Sequence, residues 1–211
     1  MIYAAILNIE KMPQELPLPK DETARSRISL AKNEELRRER IAAYLLAERA
    51  YSDFFSLLMP PLSFDKHEKP GFTVGEIKIS ISHTDGFCAV AFSKNDVGID
   101  VQSHAEMLEK ERVLERFVNK DLQNLIKNST EPNVTYLFYE TKEQGIEIKP
   151  MSEIKDVDFS SAEPSAVWSA LEAVLKCRGG FCEFKNVENL VRAAKIKTVD
   201  ICGASLSVAE L

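Results

Sequence analysis

No stretch of this chain approaches the roughly 18 consecutive apolar residues that a bilayer-spanning helix needs, so no membrane span is expected. The apolar run near Met1 is short, no basic residue precedes it, and Glu10 follows soon after. That is the wrong pattern for a secretory leader, and a cytoplasmic protein is expected. Cysteine is sparse: Cys88, Cys177, Cys182 and Cys202 form no CxxC pair, and three of them sit inside or beside apolar patterns. They read as buried reduced thiols, not as a zinc site or a disulfide framework. Positive charge is also short, with a formal net charge of -6, which argues against unspecific binding to nucleic acid or to an anionic membrane. No internal sequence repeat is present. With 211 residues, 45% apolar and 28% charged, the chain has the composition of an ordinary globular protein long enough to bury a core without staples.

The informative stretch runs from Ile79 to Gln102. Ile79, Ile81, Cys88, Val90 and Phe92 recur at period two around the turn formers Thr84, Asp85 and Gly86, which predicts two strands and a corner. A third apolar run, Val97-Gly98-Ile99-Asp100-Val101, places an acid among apolar neighbours. A carboxylate there is costly to desolvate unless a cation or donors meet it. On spacing alone Asp100 caps the next segment or pairs with a lysine, and His83 is a structural residue at a strand end.

Around this centre the pattern predicts a strand from Tyr3 to Ile9 and a proline-rich segment from Pro13 to Pro19. One helix is expected from Glu22 to about Leu58, ended by Met59-Pro60-Pro61. Arg37, Arg38 and Arg40 on its first half form either a solvated face or a phosphate-facing one. Ser63 to Gly75 reads as a loop. A second helical region runs from Ala105 to Ile126, through Met107, Leu108, Val113, Leu114, Phe117, Val118, Leu122 and Leu125, and Asn128 to Pro132 breaks it. Val134 to Glu140 and Gly145 to Ile148 read as a hairpin turning at Lys142-Glu143-Gln144-Gly145. Met151 to Pro164 reads as a loop, Ser165 to Cys177 as the last clear helix, Ile196 to Ile201 as a strand, and the remainder as a frayed tail.

On the helix after Pro164, residues four apart lie one above the other, so Trp168, Glu172 and Lys176 form a single stripe. Read alone, that stripe is a surface Glu-to-Lys pair beside a packed tryptophan. Taken in order, Lys69-Pro70, Ser82-His83-Thr84, Gly98-Ile99-Asp100 and Trp168-Ser169-x-x-Glu172-Ala173-x-x-Lys176 resemble the motifs of the 4′-phosphopantetheinyl transferase superfamily, in its longer bacterial class of two fused halves.

The resemblance implies an α+β fold of two similar halves, 1–102 and 103–211, packed with a pseudo-twofold relation and with the site in the cleft between them. The implied activity is magnesium-dependent transfer of 4′-phosphopantetheine from coenzyme A to a serine of an apo acyl or peptidyl carrier protein, with a monomer as the default state. Asp100 and Glu172 would hold the metal, with Gln102 beside them, and Glu172 or a water it shares with the metal would take the serine proton. His83 would donate to the pyrophosphate, Lys69 would face the 3′-phosphate, and Lys176 would neutralise the transferred phosphate. Arg38 or Arg40 would add to the 3′-phosphate site.

The chain departs from the family pattern at several positions. Gln102 replaces a second acid, and its amide oxygen ligates without charge. Leu171 replaces a lysine and is expected to remove one cation from the phosphate site. Glu68 stands where Gly-Lys-Pro has its glycine, and Asp121 is slightly out of register for a third ligand. The separation of Asp100 from Glu172 is long, which suggests that the 134–148 hairpin stands in for sheet that the tail normally supplies. These departures keep open a weakened member that binds coenzyme A or a carrier without efficient transfer. Replacing either acid by alanine is expected to abolish transfer and to leave the thermal midpoint unchanged or raised. The carrier served, in fatty acid, polyketide or peptide synthesis, is left open.

Overall fold

The computed structural model describes residues 1–9, 15–105, 107, 118–142, 145–149, 154–157, 164–179, 186–201 and 203–211. It is an α+β protein in four layers, helix on sheet on sheet on helix. The first sheet has the order β4-β5-β1-β7-β8, from Lys78–Thr84, Phe87–Ser93, Ile2–Asn8, Val134–Lys142 and Gly145–Lys149. The second has the order β6-β11-β10-β9, from Val97–Ser103, Ala204–Glu210, Lys195–Ile201 and Ile154–Asp156. Within these sheets β1 and β7 run parallel and the other pairs antiparallel.

Period two decides which residue meets which layer. On β5, Cys88, Val90 and Phe92 face helix α2 (Glu34–Phe55), while Phe87, Ala89 and Ala91 face the second sheet. With both faces covered the strand reads as an unbroken apolar run, as buried strands do. Ile99 and Val101 of β6 and Leu206 and Val208 of β11 complete the layer between the sheets. The outer face of the second sheet is covered by α4 (Pro164–Cys177) with α3 (Lys120–Lys127) and α5 (Val187–Ala193) beside it.

Several expectations change. The helix expected over 22–58 is two helices, α1 (Glu22–Ser29) and α2, because Asn33 is extended at φ -146° and its side chain accepts from Leu36 N at 2.8 Å, an N-cap that restarts the helix. α2 stops before the prolines, at Ser56 in the left-handed region (φ 55°). The loop expected over 63–75 contains the antiparallel pair β2 (Leu62–Phe64) and β3 (Pro70–Phe72). Strand β9 lies inside the loop expected over 151–164, and α5 is a helix that the pattern did not announce.

The largest correction is the tail. β11 is fully buried between β6 and β10 rather than frayed. The hairpin over 134–148 is present as β7 and β8, but it extends the first sheet and replaces no strand of the tail. Residue 102 falls inside β6, and each sheet draws strands from both sides of it.

Of the second helical region, Leu108, Val113, Leu114 and Phe117 lie outside the described residues, as do the turn residues Glu143 and Gln144. Met107, Val118, Leu122 and Ile126 are buried against α4. Cys88 and Cys177 are buried free thiols, as expected, and Cys182 and Cys202 lie outside the described residues. Among the described residues no helix is long and apolar enough to cross a membrane.

Candidate functional site

The site forms where the inner edges of the two sheets meet. β4 closes one edge of the first sheet and β6 one edge of the second, and side chains bridge them in place of a backbone ladder. Ser80 Oγ accepts from Ile99 N at 3.1 Å, Ser82 Oγ from Val101 N at 3.4 Å and Thr84 Oγ1 from Ser103 N at 3.4 Å. These hydroxyls alternate with Ile79, Ile81 and His83, which face α2. Three edge N–H groups of β6 are thus satisfied without another strand.

Gly98, Asp100 and Gln102 share the β6 face that lies under α4. α4 settles on it through a stripe of small residues. Ser165 Oγ is 3.0 Å from Ser205 Oγ, Ser169 Oγ donates to Asp100 O at 2.9 Å, and Cys177 Sγ lies 3.4 Å from Ala209 O. A Cβ at Gly98 would stand 1.9 Å from Ala173 O, so the helix backbone occupies the space a side chain would fill.

That close seat brings three predicted residues together. Asp100 is 2% exposed, and its Oδ1 accepts from Ser82 Oγ at 2.9 Å and from Lys176 Nζ at 2.6 Å. Lys176 also donates to Ser82 Oγ at 2.9 Å. Asp100 Oδ2 is buried with no hydrogen-bond partner. Glu172, one turn before Lys176, is pushed up to about 7, first by burial and then by the charge of Asp100, against the opposing pull of Lys176. The Trp168 indole is within hydrogen-bonding reach of the Glu172 carboxyl, so the predicted stripe is intact. Gln102 is buried on the same face, opposite Ser205.

A cleft of about 170 Å³ opens on the α2 side of β4, lined by Arg27, Arg40, Tyr44, Phe64, Glu68 and His83 among others. His83 joins the two regions. Its Nδ1 is 2.9 Å from Glu39 Oε2, and its pKa is held below the usual imidazole value by burial and then by the charges of Lys176 and Arg40. Of the two arginines that the sequence left open, Arg40 lines the cleft. Positions two apart on a helix point about 200° apart, so Arg38 lies on another side of α2, half-buried. Arg40 Nη1 donates to Arg27 O at 2.7 Å, and both guanidinium charges act on the buried Tyr44 hydroxyl, whose pKa burial nevertheless raises.

Four other predicted positions are placed differently. Lys69 Nζ donates to Cys177 O at 2.6 Å, capping the C-terminus of α4, where burial lowers its pKa. Leu171 is fully buried in the core beneath α4, so it does not face a phosphate site. Glu68 has φ 64°, the left-handed conformation that glycine adopts without cost, and its carboxylate pairs with Arg27. Asp121 is exposed in the first turn of α3.

Comparison of the chain with protein-family models finds no match. Comparison with curated proteins finds none either. The site therefore rests on its own geometry.

Chemically, the junction offers two crowded carboxyls, one oxygen of which is buried without a partner, which fits a divalent cation. Among the described residues no group of three or more His, Cys, Asp or Glu converges on one point. An ion held by Asp100 and Glu172 would draw further oxygens from Gln102, water or a bound phosphate, as magnesium commonly does. Without an ion, burial and the neighbouring Asp100 keep the Glu172 carboxyl near neutrality, where it can exchange a proton with a nearby hydroxyl.

Sequence reasoning missed Arg27, Tyr44, Glu39 and the role of Ser82. A signal existed only for Ser82, in the alternation of Ser80, Ser82 and Thr84 with apolar residues along a buried strand.

Proposed function

We propose that the protein, as a cytoplasmic monomer, transfers 4′-phosphopantetheine from coenzyme A to a serine hydroxyl of an apo acyl or peptidyl carrier protein, breaking the diphosphate bridge and releasing adenosine 3′,5′-bisphosphate. On this reading the chain is a pseudo-twofold transferase fold of two halves, 1–102 and 103–211, which share both sheets. Magnesium would be held by Asp100 and Glu172, with Gln102 beside them, and when bound it would offset the charge gathered by the diphosphate.

The protein's own groups have separate tasks. Lys176 and His83 orient the diphosphate of coenzyme A, while Arg40 and Arg27 hold the 3′-phosphate in the cleft. Glu172, or a water it shares with the metal, accepts the proton of the carrier serine, a transfer that needs only a carboxylate within hydrogen-bond reach of a positioned hydroxyl. Carrier domains are commonly acidic, so complementary charge near the cleft favours docking.

A single observation carries this reading. Asp100 and Glu172, far apart in the chain and on different elements, meet in a buried seam in which Lys176, one turn after Glu172, bonds Asp100 Oδ1 at 2.6 Å and Ser169, one turn before Glu172, bonds Asp100 O at 2.9 Å. The test is incubation of an apo carrier protein with the protein, coenzyme A and magnesium, followed by intact-mass measurement. A mass increase of one phosphopantetheine group is expected, and an unchanged mass across fatty acid, polyketide and peptide carriers rejects the transfer.

A second reading, binding of coenzyme A or a carrier without efficient transfer, is favoured by the ion pairs Lys176–Asp100 and Arg27–Glu68. In both, the chain's own charges occupy positions that ligands would use. Tight coenzyme A binding in calorimetry, with no mass change of any carrier, is the outcome that selects it.

A further inference from the structure

Arg27 and Glu68 meet in the two-pronged arrangement that a guanidinium also offers to a phosphate. Nη1 is 3.0 Å from Oε1 and Nη2 is 3.0 Å from Oε2. The guanidinium lies over the Phe64 ring, 4.8 Å from its centre, a cation–π contact. Arg40 stands beside it, bonded to the Arg27 carbonyl, and Tyr44 and His83 complete the donors of the cleft. Glu68 is the acid in this lining.

The geometry points to Glu68 as a tethered counter-ion: its carboxylate occupies the anion position of the Arg27–Arg40 cleft and has to leave before a phosphate monoester binds there. The inference rests on the reading above for the ligand's chemistry, a phosphate on a nucleotide. The occupied position itself is a matter of geometry.

The tether is stiff. Asp65 Oδ1 accepts from His67 N at 2.8 Å and from Lys69 N at 2.9 Å, and Glu68 N donates to Asp65 O at 3.0 Å, so the β2–β3 turn is closed upon itself. Lys69, the next residue, anchors that turn to the end of α4. Glu68 is held at φ 64° within the turn, a conformation costly for a residue with a Cβ, so the position is over-determined by its surroundings.

The side chain is nevertheless releasable. Glu68 is 73% exposed while Arg27 is 24% exposed, so the carboxylate rotates into water while the guanidinium stays in place. An exposed pair of this kind holds weakly, and a dianionic phosphate that also reaches Arg40 outcompetes it. The effect is a lowered affinity for phosphate, set by a residue that makes no contact with the ligand once it is bound.

The test is calorimetric titration with adenosine 3′,5′-bisphosphate in the absence of magnesium, so that the acidic seam does not contribute. Glu68→Gln is expected to bind about 5-fold more tightly than the parent, and Glu68→Gly, which also relieves the backbone, at least as tightly. In an Arg27→Gln background the Glu68→Gln gain is expected to vanish. Equal or weaker binding by both Glu68 variants overturns the proposal, as does the same gain without Arg27, which marks a general charge effect. Absence of binding by every form overturns it too. The carrier assay separates the two readings: a Glu68 gain with no transfer sinks the transferase and leaves the counter-ion, and transfer without a Glu68 gain does the reverse.

Discussion

Lys176 Nζ lies 2.6 Å from Asp100 Oδ1, and Ser82 Oγ bonds both partners, so the cation of one helix is locked to the acid of a strand from the other side of the chain. Glu172 meets the same acid carboxyl to carboxyl, a contact that raises its pKa instead of pairing opposite charges. The two carboxyls that the sequence treats alike are therefore unequal.

Replacing Asp100 by alanine strands Lys176 and Ser82 in a buried seam. A loss of about 2 to 3 kcal/mol is expected, at the low end for broken buried pairs because Lys176 is partly exposed. Glu172→Gln removes a repulsion and is expected to leave stability unchanged or raised at pH 8. Both variants are expected to lose carrier modification. Urea denaturation checks the contrast, and equal destabilisation by the two changes rejects this account of the pair.

The raised pKa of Glu172 gives stability a signed pH dependence. The native carboxyl holds its proton up to about 7 while the unfolded one releases it near 4.5. In the metal-free protein this contribution to stability is complete below pH 4.5, declines as pH rises through that window, and stays flat above it. The full linkage is about 3 kcal/mol, reduced to roughly half by solvent screening at a partly exposed group. Thermal midpoints of the parent and Glu172→Gln are expected to converge toward pH 4.5 and to separate toward pH 7. Parallel curves across that range contradict the assignment.

Lys69 separates two roles by two readouts. As a cap on the Cys177 carbonyl it contributes about 1 to 2 kcal/mol, so Lys69→Met is expected to lower stability by that amount while shifting coenzyme A affinity less than Arg40→Gln does. A large affinity loss at unchanged stability returns Lys69 to the phosphate site.

Leu171 gives a test that runs against the family pattern. A lysine there would enter the apolar core under α4, between Ala170 and Val174, at a cost of several kcal/mol. Leu171→Lys is expected to unfold in less urea than the parent and to gain no coenzyme A affinity. A gain in affinity shows that the side chain reaches the site after all.

What the sequence made legible follows from local spacing. Residues four apart on one helix had to stack, which placed Trp168, Glu172 and Lys176 in a stripe. Period two had to put Asp100 on the Gly98 face of β6. What it hid depends on partners far along the chain. β11 alternates Ser205 and Ser207 with Leu206 and Val208, which resembles a half-exposed tail, yet Ser207 is buried against Thr198 at 2.7 Å and Ser205 against Ser165 at 3.0 Å. Lys69 reads as a phosphate ligand from its tripeptide, but a carbonyl 108 residues later claims it. Arg27 carried no local signal, because the cleft that gives it meaning is assembled from α1, α2, the β2–β3 hairpin and β4.

The whole site depends on how closely α4 sits on β6, and Gly98 sets that distance. In Gly98→Ala the new methyl would lie 1.9 Å from Ala173 O and 2.9 Å from Cys177 N, both of them main chain, so no rotamer change relieves it. The helix has to lift, carrying Glu172 and Lys176 away from Asp100, in a core too close-packed to absorb the shift cheaply. A loss of about 3 kcal/mol or more is expected, beyond ordinary overpacking, together with loss of carrier modification. Ala173→Gly is not expected to rescue it, because the obstructing atom belongs to the backbone. Gly71→Ala serves as the control: its nearest neighbour would be Ser63 Oγ at 3.6 Å, an ordinary contact, and near-neutral stability is expected. Urea midpoints of the four proteins decide the matter. A Gly98→Ala variant as stable as Gly71→Ala, with transfer intact, contradicts the claim that this contact holds the acids together.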